Sequence, residues 1–139
     1  MPIDSANPEH LKRALPVTRR GERREALVLI APVTVRAELK GLSGDMILAG
    51  FATPVFNVGD GIRMEIFLLR DGMRLKVGER HFDAARRAED RLWIPIEFAL
   101  NLTGDNDLEI EISAGPQGDL VADWLAFNSL RLLLRKRSA

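Results

Sequence analysis

The sequence contains no cysteine, which excludes disulfides and thiolate metal sites. It contains two histidines, His10 and His81, so imidazole chemistry has few places to occur. Its 20 Lys and Arg are balanced by 20 Asp and Glu, so no net field draws the domain toward nucleic acid or an anionic membrane. No stretch approaches the roughly 18 apolar residues of a membrane-spanning helix, and no transmembrane segment is expected. No basic segment followed by a long apolar run stands near residue 1. No signal peptide is therefore visible, and a cytoplasmic location is the expectation. The phosphate-cradling G-x-x-x-x-G-K-[ST], zinc-binding H-E-x-x-H and nucleophile-bearing G-x-S-x-G patterns are also missing.

What is present is β patterning. The 139 residues, 46% of them apolar, suffice for one domain with its own core. Residues 1–25 are polar, with Pro2, Pro8, Pro16 and six basic residues from Lys12 to Arg24, and read as a lead-in or linker. An Asn7 cap with Pro8 following could start a short helix there. Val33, Val35, Ala37 and Leu39 then alternate with polar residues, residues 41–45 read as a turn, and 46–51 as a short strand. Gly59-Asp60-Gly61 breaks the chain and launches the strand around which the rest is organised. In it Ile62, Met64, Ile66 and Leu68 fall on one face, with Arg63 and Glu65 on the other. Phe67 and Leu69 break the alternation, which suggests a strand end buried on both faces. Arg70-Asp71-Gly72 is a hairpin turn, since Asp-Gly tolerates the positive φ of tight primed turns. Residues 78–91 are dense in charge and read as a loop or a single helical turn. Leu92, Ile94, Ile96, Phe98 and Leu100 alternate cleanly, as do Leu108, Ile110 and Ile112 against Asp107, Glu109 and Glu111. Residues 124–134 form a closing strand and 135–139 a basic tail. Seven or eight strands, no long helix and no βαβ unit imply an all-β, antiparallel two-sheet sandwich over residues 26–134.

Gly59-Asp60-Gly61 with the strand that follows resembles the G-D-G, strand, D-G run of galactose-binding-like jelly rolls. Arg91-Leu92-Trp93 with residues 94–100 resembles the strand before that family's vDLs-x-x-aG turn, although Leu100-Asn101-Leu102-Thr103-Gly104 lacks its Asp. Residues 108–113, Gly115-Pro116-Gln117-Gly118-Asp119 and Asp123-Trp124-Leu125-Ala126-Phe127 are similar to the family's final strand pair. The likeness spans roughly residues 30–134. It is nearest to accessory modules beside bacterial sugar-processing enzymes and glycosyltransferases. It implies a jelly-roll sandwich and a non-catalytic carbohydrate-binding role in cell-surface glycan metabolism, with a glycan or a neighbouring enzyme domain as partner.

The candidate ligand-binding residues are Trp93, Asp60, Asp123 and Trp124. An aromatic face stacks on a sugar ring, and Trp93 lies opposite the Leu92/Ile94 face, toward the outside or a loop-covered groove. Packing competes with stacking as the role of each Trp, and turn geometry with ligand binding as the role of each Asp. Asp60, Asp119 and Asp123 flank strands and are the oxygens a calcium ion would need, so calcium is the one cofactor admitted, with no other expected. Glu79, His81 and Asp83 share one side of an extended segment, and Glu109 and Glu111 share a strand face. Either set matches acid–base chemistry, but both patterns are those of any solvated face. No catalytic residue is therefore assigned, and a non-enzymatic role is favoured. A protein-interaction or structural sandwich is the competing reading, with a small glycan hydrolase behind it. The basic residues at the two ends have no aromatic partners, so no nucleic-acid surface is expected.

Overall fold

The computed structural model describes residues 4–5, 8–116, 118 and 123–134. Its elements are β1 (Asp4–Ser5), β2 (Leu11–Arg19), β3 (Glu22–Ile30), β4 (Val33–Pro54), β5 (Ile62–Arg70), β6 (Met73–Phe82), β7 (Ile94–Ala114) and β8 (Trp124–Leu134). Two single 3₁₀ turns, Pro8–His10 and Ala88–Asp90, are the only helical pieces among the described residues. No described helix is long and apolar enough to cross a membrane. All pairings are antiparallel, in the order β2-β3-β8-β4-β7-β5-β6, with β1 added on β4.

The frame is a ribbon of the two longest strands. β4, 22 residues, pairs with β7, 21 residues, from Val33↔Ile112 to Ala52↔Ile94. Residues 41–45 are therefore not a chain reversal but a bend within one strand. The register slips between Leu39 and Leu42, and Gly41, Gly44 and Gly104 take positive φ there, which lets both strands turn without a Cβ clash. One half of the ribbon carries β5 and β6, and the other carries β8, β3 and β2. The two halves are the layers of the sandwich. Their inward side chains, among them Val35, Met64, Ile66, Ile96, Ile110 and Phe127, join in one buried cluster. Gly78 of β6 has no side chain where the Phe98 ring of β7 lies against it.

The strand alternations read from the sequence hold in β5, at Ile94–Leu100 and at Leu108–Ile112, where the inward residues are buried. The hairpin at Arg70-Asp71-Gly72 is present, with φ of 51° at Asp71 and 73° at Gly72. Phe67 is buried on the outer face because the Arg74 guanidinium caps its ring at 3.5 Å. The lead-in needs correction. Residues 11–19 and 22–25 are strand, closed by a turn at Arg20-Gly21 with φ of 48° and 77°. Polar residues and Pro16 masked it because β2 is an edge strand with most side chains exposed, where a missing N–H is tolerated. The short helix near Pro8 is a single 3₁₀ turn, and Asn7 lies outside the described residues. The basic tail from 135 also lies outside them.

The outer faces differ. On the β5–β6–β7 layer, Glu109 is held by Arg36 (2.8 Å) and Arg74 (3.0 Å), Glu111 by Arg74 (2.8 Å), and Glu79 by Arg63 (2.9 Å) and Lys76 (2.7 Å). On the β2–β3–β8 layer, a second buried cluster forms from Val17, Ala26, Val28, Ala126 and Trp93.

Candidate functional site at the loop rim

Four connections meet at one end of the sandwich. They are the β2–β3 turn, the β4–β5 loop (residues 55–61), the β6–β7 loop (83–93) and the described part of the β7–β8 connection. Backbone contacts lock them. Val55 N–H donates to the Trp124 carbonyl at 2.9 Å, and Arg86 reaches the Gly59 carbonyl at 3.5 Å. Arg19 reaches the Val55 carbonyl at 3.3 Å, and Arg91 reaches the carbonyls of Ala84 (2.6 Å) and Ala85 (3.0 Å). The buried Asp90 carboxylate accepts the Asp83 N–H at 2.8 Å and pairs with Arg87 at 3.1 Å, which shapes the β6–β7 loop.

On one flank of residues 55–61 lies a cleft of about 590 Å³ lined by Arg63, Glu79, Arg80, His81 and residues 114–116. A smaller hollow beside Asp60, Asp83 and Arg86 shares His81 and Pro116 with it. Two glycines make this geometry. At Gly61, with φ of 101°, a methyl group would collide with the His81 ring, and at Gly115 it would collide with the Asp60 carbonyl oxygen. Lys76 and then Arg63 donate to Glu79 and hold its carboxyl below the usual carboxylate range. Arg87 donates to the His81 carbonyl at 2.7 Å and, more loosely, to Nδ1 at 3.4 Å. A guanidinium only donates, so Nδ1 accepts and the proton of the neutral ring is assigned to Nε2. On the other flank, Phe56 stands 42% exposed, edge-on to Trp124 with ring centroids 5.5 Å apart. Beside it Asn57 accepts a hydrogen bond from Arg19.

No family model matches the chain, and no curated protein matches it in sequence. Solved structures do. CBM51 from Clostridium perfringens GH95, in complex with methyl-galactose, superposes with a TM-score of 0.61 at 15% identity, over 89% of this chain and 87% of that one. TmCBM61 in complex with beta-1,4-galactotriose gives 0.57 at 14% identity, over 96% and 88%. The fold is the antiparallel β-sandwich of these structures. The M60 catalytic domain with CBM51-1 and CBM51-2 from Clostridium perfringens ZmpB gives 0.52 at 12% identity, over 88% of this chain. The chain spans only 13% of that longer protein. At these identities the likeness is one of fold.

Against this sandwich fold, the four candidate residues fall in different places. Trp93 points away from the main core, as its parity implies, but that side is not open. It is 5% exposed in the second cluster, its Nε1 donates to the Glu22 carbonyl at 3.1 Å, and Arg24 lies over its ring at 5.7 Å. The β2–β3 hairpin, read from sequence as part of the lead-in, closes that side, so Trp93 offers no free ring face. Asp123 is 1% exposed and its carbonyl accepts the Ala31 N–H, so it too is enclosed. Asp60 is 4% exposed and lines the smaller hollow. Trp124 is half-buried behind Phe56. Asp119 lies outside the described residues, and among those described no three His, Asp or Glu side chains gather as a metal site. Glu79 and His81 do line the cleft together, while Asp83 turns to Arg86 at 3.2 Å. Phe56, Asn57, Arg19 and Arg91 escaped the sequence reading. Phe56, Asn57 and Arg91 lie in loops and Arg19 ends a mostly exposed edge strand, so none of them carries a periodic signal.

Proposed function

We propose that the chain is a non-catalytic carbohydrate-binding accessory module that holds a glycan in the rim cleft between β5, β6 and the β7–β8 connection. The observation that carries this is the cleft. Its volume of about 590 Å³ falls within the roughly 300–1,000 Å³ of small-molecule sites, and its lining mixes donors (Arg63, Arg80) with an acceptor (Glu79). Sugar hydroxyls both donate and accept, so such a lining suits them. A binding role rather than hydrolysis follows from the carboxylates, since Glu79, Glu109 and Glu111 are each held by cationic side chains. The occurrence of this fold beside a catalytic domain in ZmpB supports a place next to a glycan-processing enzyme. No three His, Asp or Glu side chains gather among the described residues, and the reading assigns recognition to the cleft's side chains.

The test is calorimetric titration with galactose and galacto-oligosaccharides, beside a wider glycan array. An open site with a few hydrogen bonds should bind weakly, near millimolar, or about −4 kcal/mol. Arg63→Ala and Glu79→Ala remove side chains that are 50% and 49% exposed, so they should weaken binding about tenfold with little change in melting temperature. A parent that binds no glycan on the array rejects the module role. Variants that bind like the parent move the site elsewhere.

A further inference from the structure

The cleft and the smaller hollow beside it share two walls, His81 and Pro116. Both spaces follow one stretch of chain. Glu79 borders the cleft, Asp83 borders the hollow, and His81 between them borders both. These are the alternate residues at the end of β6 and one step beyond it. At roughly 3.3 Å per extended residue, Glu79 and Asp83 stand about 13 Å apart along the chain, farther than one sugar ring reaches. The His81 ring between them is fixed. It lies against Gly61, where a side chain would collide with it, and Arg87 donates to the His81 carbonyl at 2.7 Å.

Each space has its own carboxylate–guanidinium pair, Glu79 with Arg63 at 2.9 Å and Asp83 with Arg86 at 3.2 Å. Neither pair is closed on itself. Arg63 and Lys76 both donate to Glu79 Oε2, so Oε1 accepts nothing among the described residues. Arg86 reaches Asp83 and the Gly59 carbonyl through Nη1 alone, so its Nε and Nη2 donate to nothing among them. The side chains that carry these spare atoms are open, Glu79 being 49% and Arg86 59% exposed. The pairs of Arg36 and Arg74 with Glu109 and Glu111, by contrast, stand along the flat face of the layer. A hydroxyl donates and accepts, so a spare carboxylate oxygen in one space and spare guanidinium N–H groups in the next suit successive sugar residues. We propose that the cleft and the hollow are adjoining subsites of one groove, which takes an oligosaccharide of at least two residues. One residue lies against Arg63 and Glu79 and the next against Asp83 and Arg86, with His81 and Pro116 at the junction. Arg86 then sets the preference for chain length. The sugar part of this assignment rests on the glycan-binding reading above, whereas the two-subsite part rests on the shared walls.

Chain length separates the two ideas. The probes are galactose, glucose, mannose and xylose, each as the monosaccharide and as the β-1,4-linked disaccharide, titrated calorimetrically into the parent. For a sugar that binds, the disaccharide should bind at least about tenfold more tightly, because the second residue adds its own hydrogen bonds. Arg86→Ala should shrink that ratio to below about threefold, because the second subsite loses its donors. Arg63→Ala should weaken both lengths and keep the ratio. Melting curves are recorded for each variant, and the ratio measured on the parent keeps the test open should Arg86→Ala fail to fold. Equal affinities for the two lengths in the parent overturn the second subsite and leave the module reading standing. A full ratio in a folded Arg86→Ala protein overturns the part given to the hollow. No heat from any of these sugars, together with a blank glycan array, overturns both readings.

Discussion

Trp93 is the residue on which the two roles of an aromatic diverge most. Truncation to alanine removes an indole that is 95% buried in a cluster with Val17, Ala26, Val28 and Ala126. It also strands the Glu22 carbonyl and uncovers the face on which Arg24 rests. A large-to-small change of this kind costs about 3–5 kcal/mol. Unfolding entropy of roughly 2.1 cal/mol/K per residue amounts to about 0.3 kcal/mol/K for 139 residues, so the melting temperature should drop by roughly 10–17 °C. Trp93→Phe keeps most of the ring and loses the indole N–H, which should cost roughly 1–2 kcal/mol and about 3–7 °C. The assay is thermal denaturation by circular dichroism, with guanidinium unfolding as a check on two-state behaviour. A Trp93→Ala protein that melts within about 2 °C of the parent would refute the second-core assignment and return Trp93 to the surface.

Two further perturbations probe the layers separately. Gly78→Ala places a methyl group against the Phe98 ring, and forcing that contact should cost about 1–3 kcal/mol, read as a lower denaturation midpoint at unchanged slope. At Glu109, burial acts to raise the carboxyl, but the hydrogen bonds and charges of Arg36 and Arg74 outweigh it and hold the group below its ordinary 4.5. A lowered folded value means that this stabilisation is complete above the ordinary value and is lost as pH falls through the folded one. Glu109→Gln should therefore cost about 1 kcal/mol at pH 7, with its partners largely exposed, and the difference from the parent should begin to shrink as pH falls below 4.5 and disappear once pH is below the lowered folded value, in melts taken across the acid range.

The sequence made the strand faces legible and the strand ends illegible, for one physical reason. Alternation reports which side of a sheet is dry, and it did so correctly at Met64, Ile66, Ile96, Ile110 and Ile112. It does not report whether a glycine-bearing gap is a reversal or a bend. Gly41 and Gly44 satisfy either, and the long-range partner Gly104 decides for a bend. Edge strands are illegible for the same reason in reverse: β2 needs only Val17 and Arg19 buried, so most of its residues read as linker. Trp93 shows the limit for sites. Its facing was legible, but whether that face met water depended on Arg24 and the β2–β3 hairpin, seventy residues earlier.

The two flat faces of the sandwich bear on why we place the proposed recognition at the rim. On the β5–β6–β7 layer the outward carboxylates are already matched to arginine and lysine, so a ligand would have to displace ion pairs that hold one another in place. On the β2–β3–β8 layer Val17, Ala26, Val28 and Ala126 are buried with Trp93, beside Trp124 and Arg24, and a shallower hollow of about 400 Å³ opens along the strands between Arg13, Glu25 and Leu130. The loop end differs from both. Arg63, Glu79 and His81 border the larger cleft, Phe56 stands clear of the core it leans on, and Arg86 keeps donors that meet no acceptor among the described residues. Strands bury their side chains in pairs across the sheet, but loops meet irregularly and leave donors over. Unpaired donors therefore collect where the ladder ends, which is why the proposed glycan site lies there while the paired strands set stability.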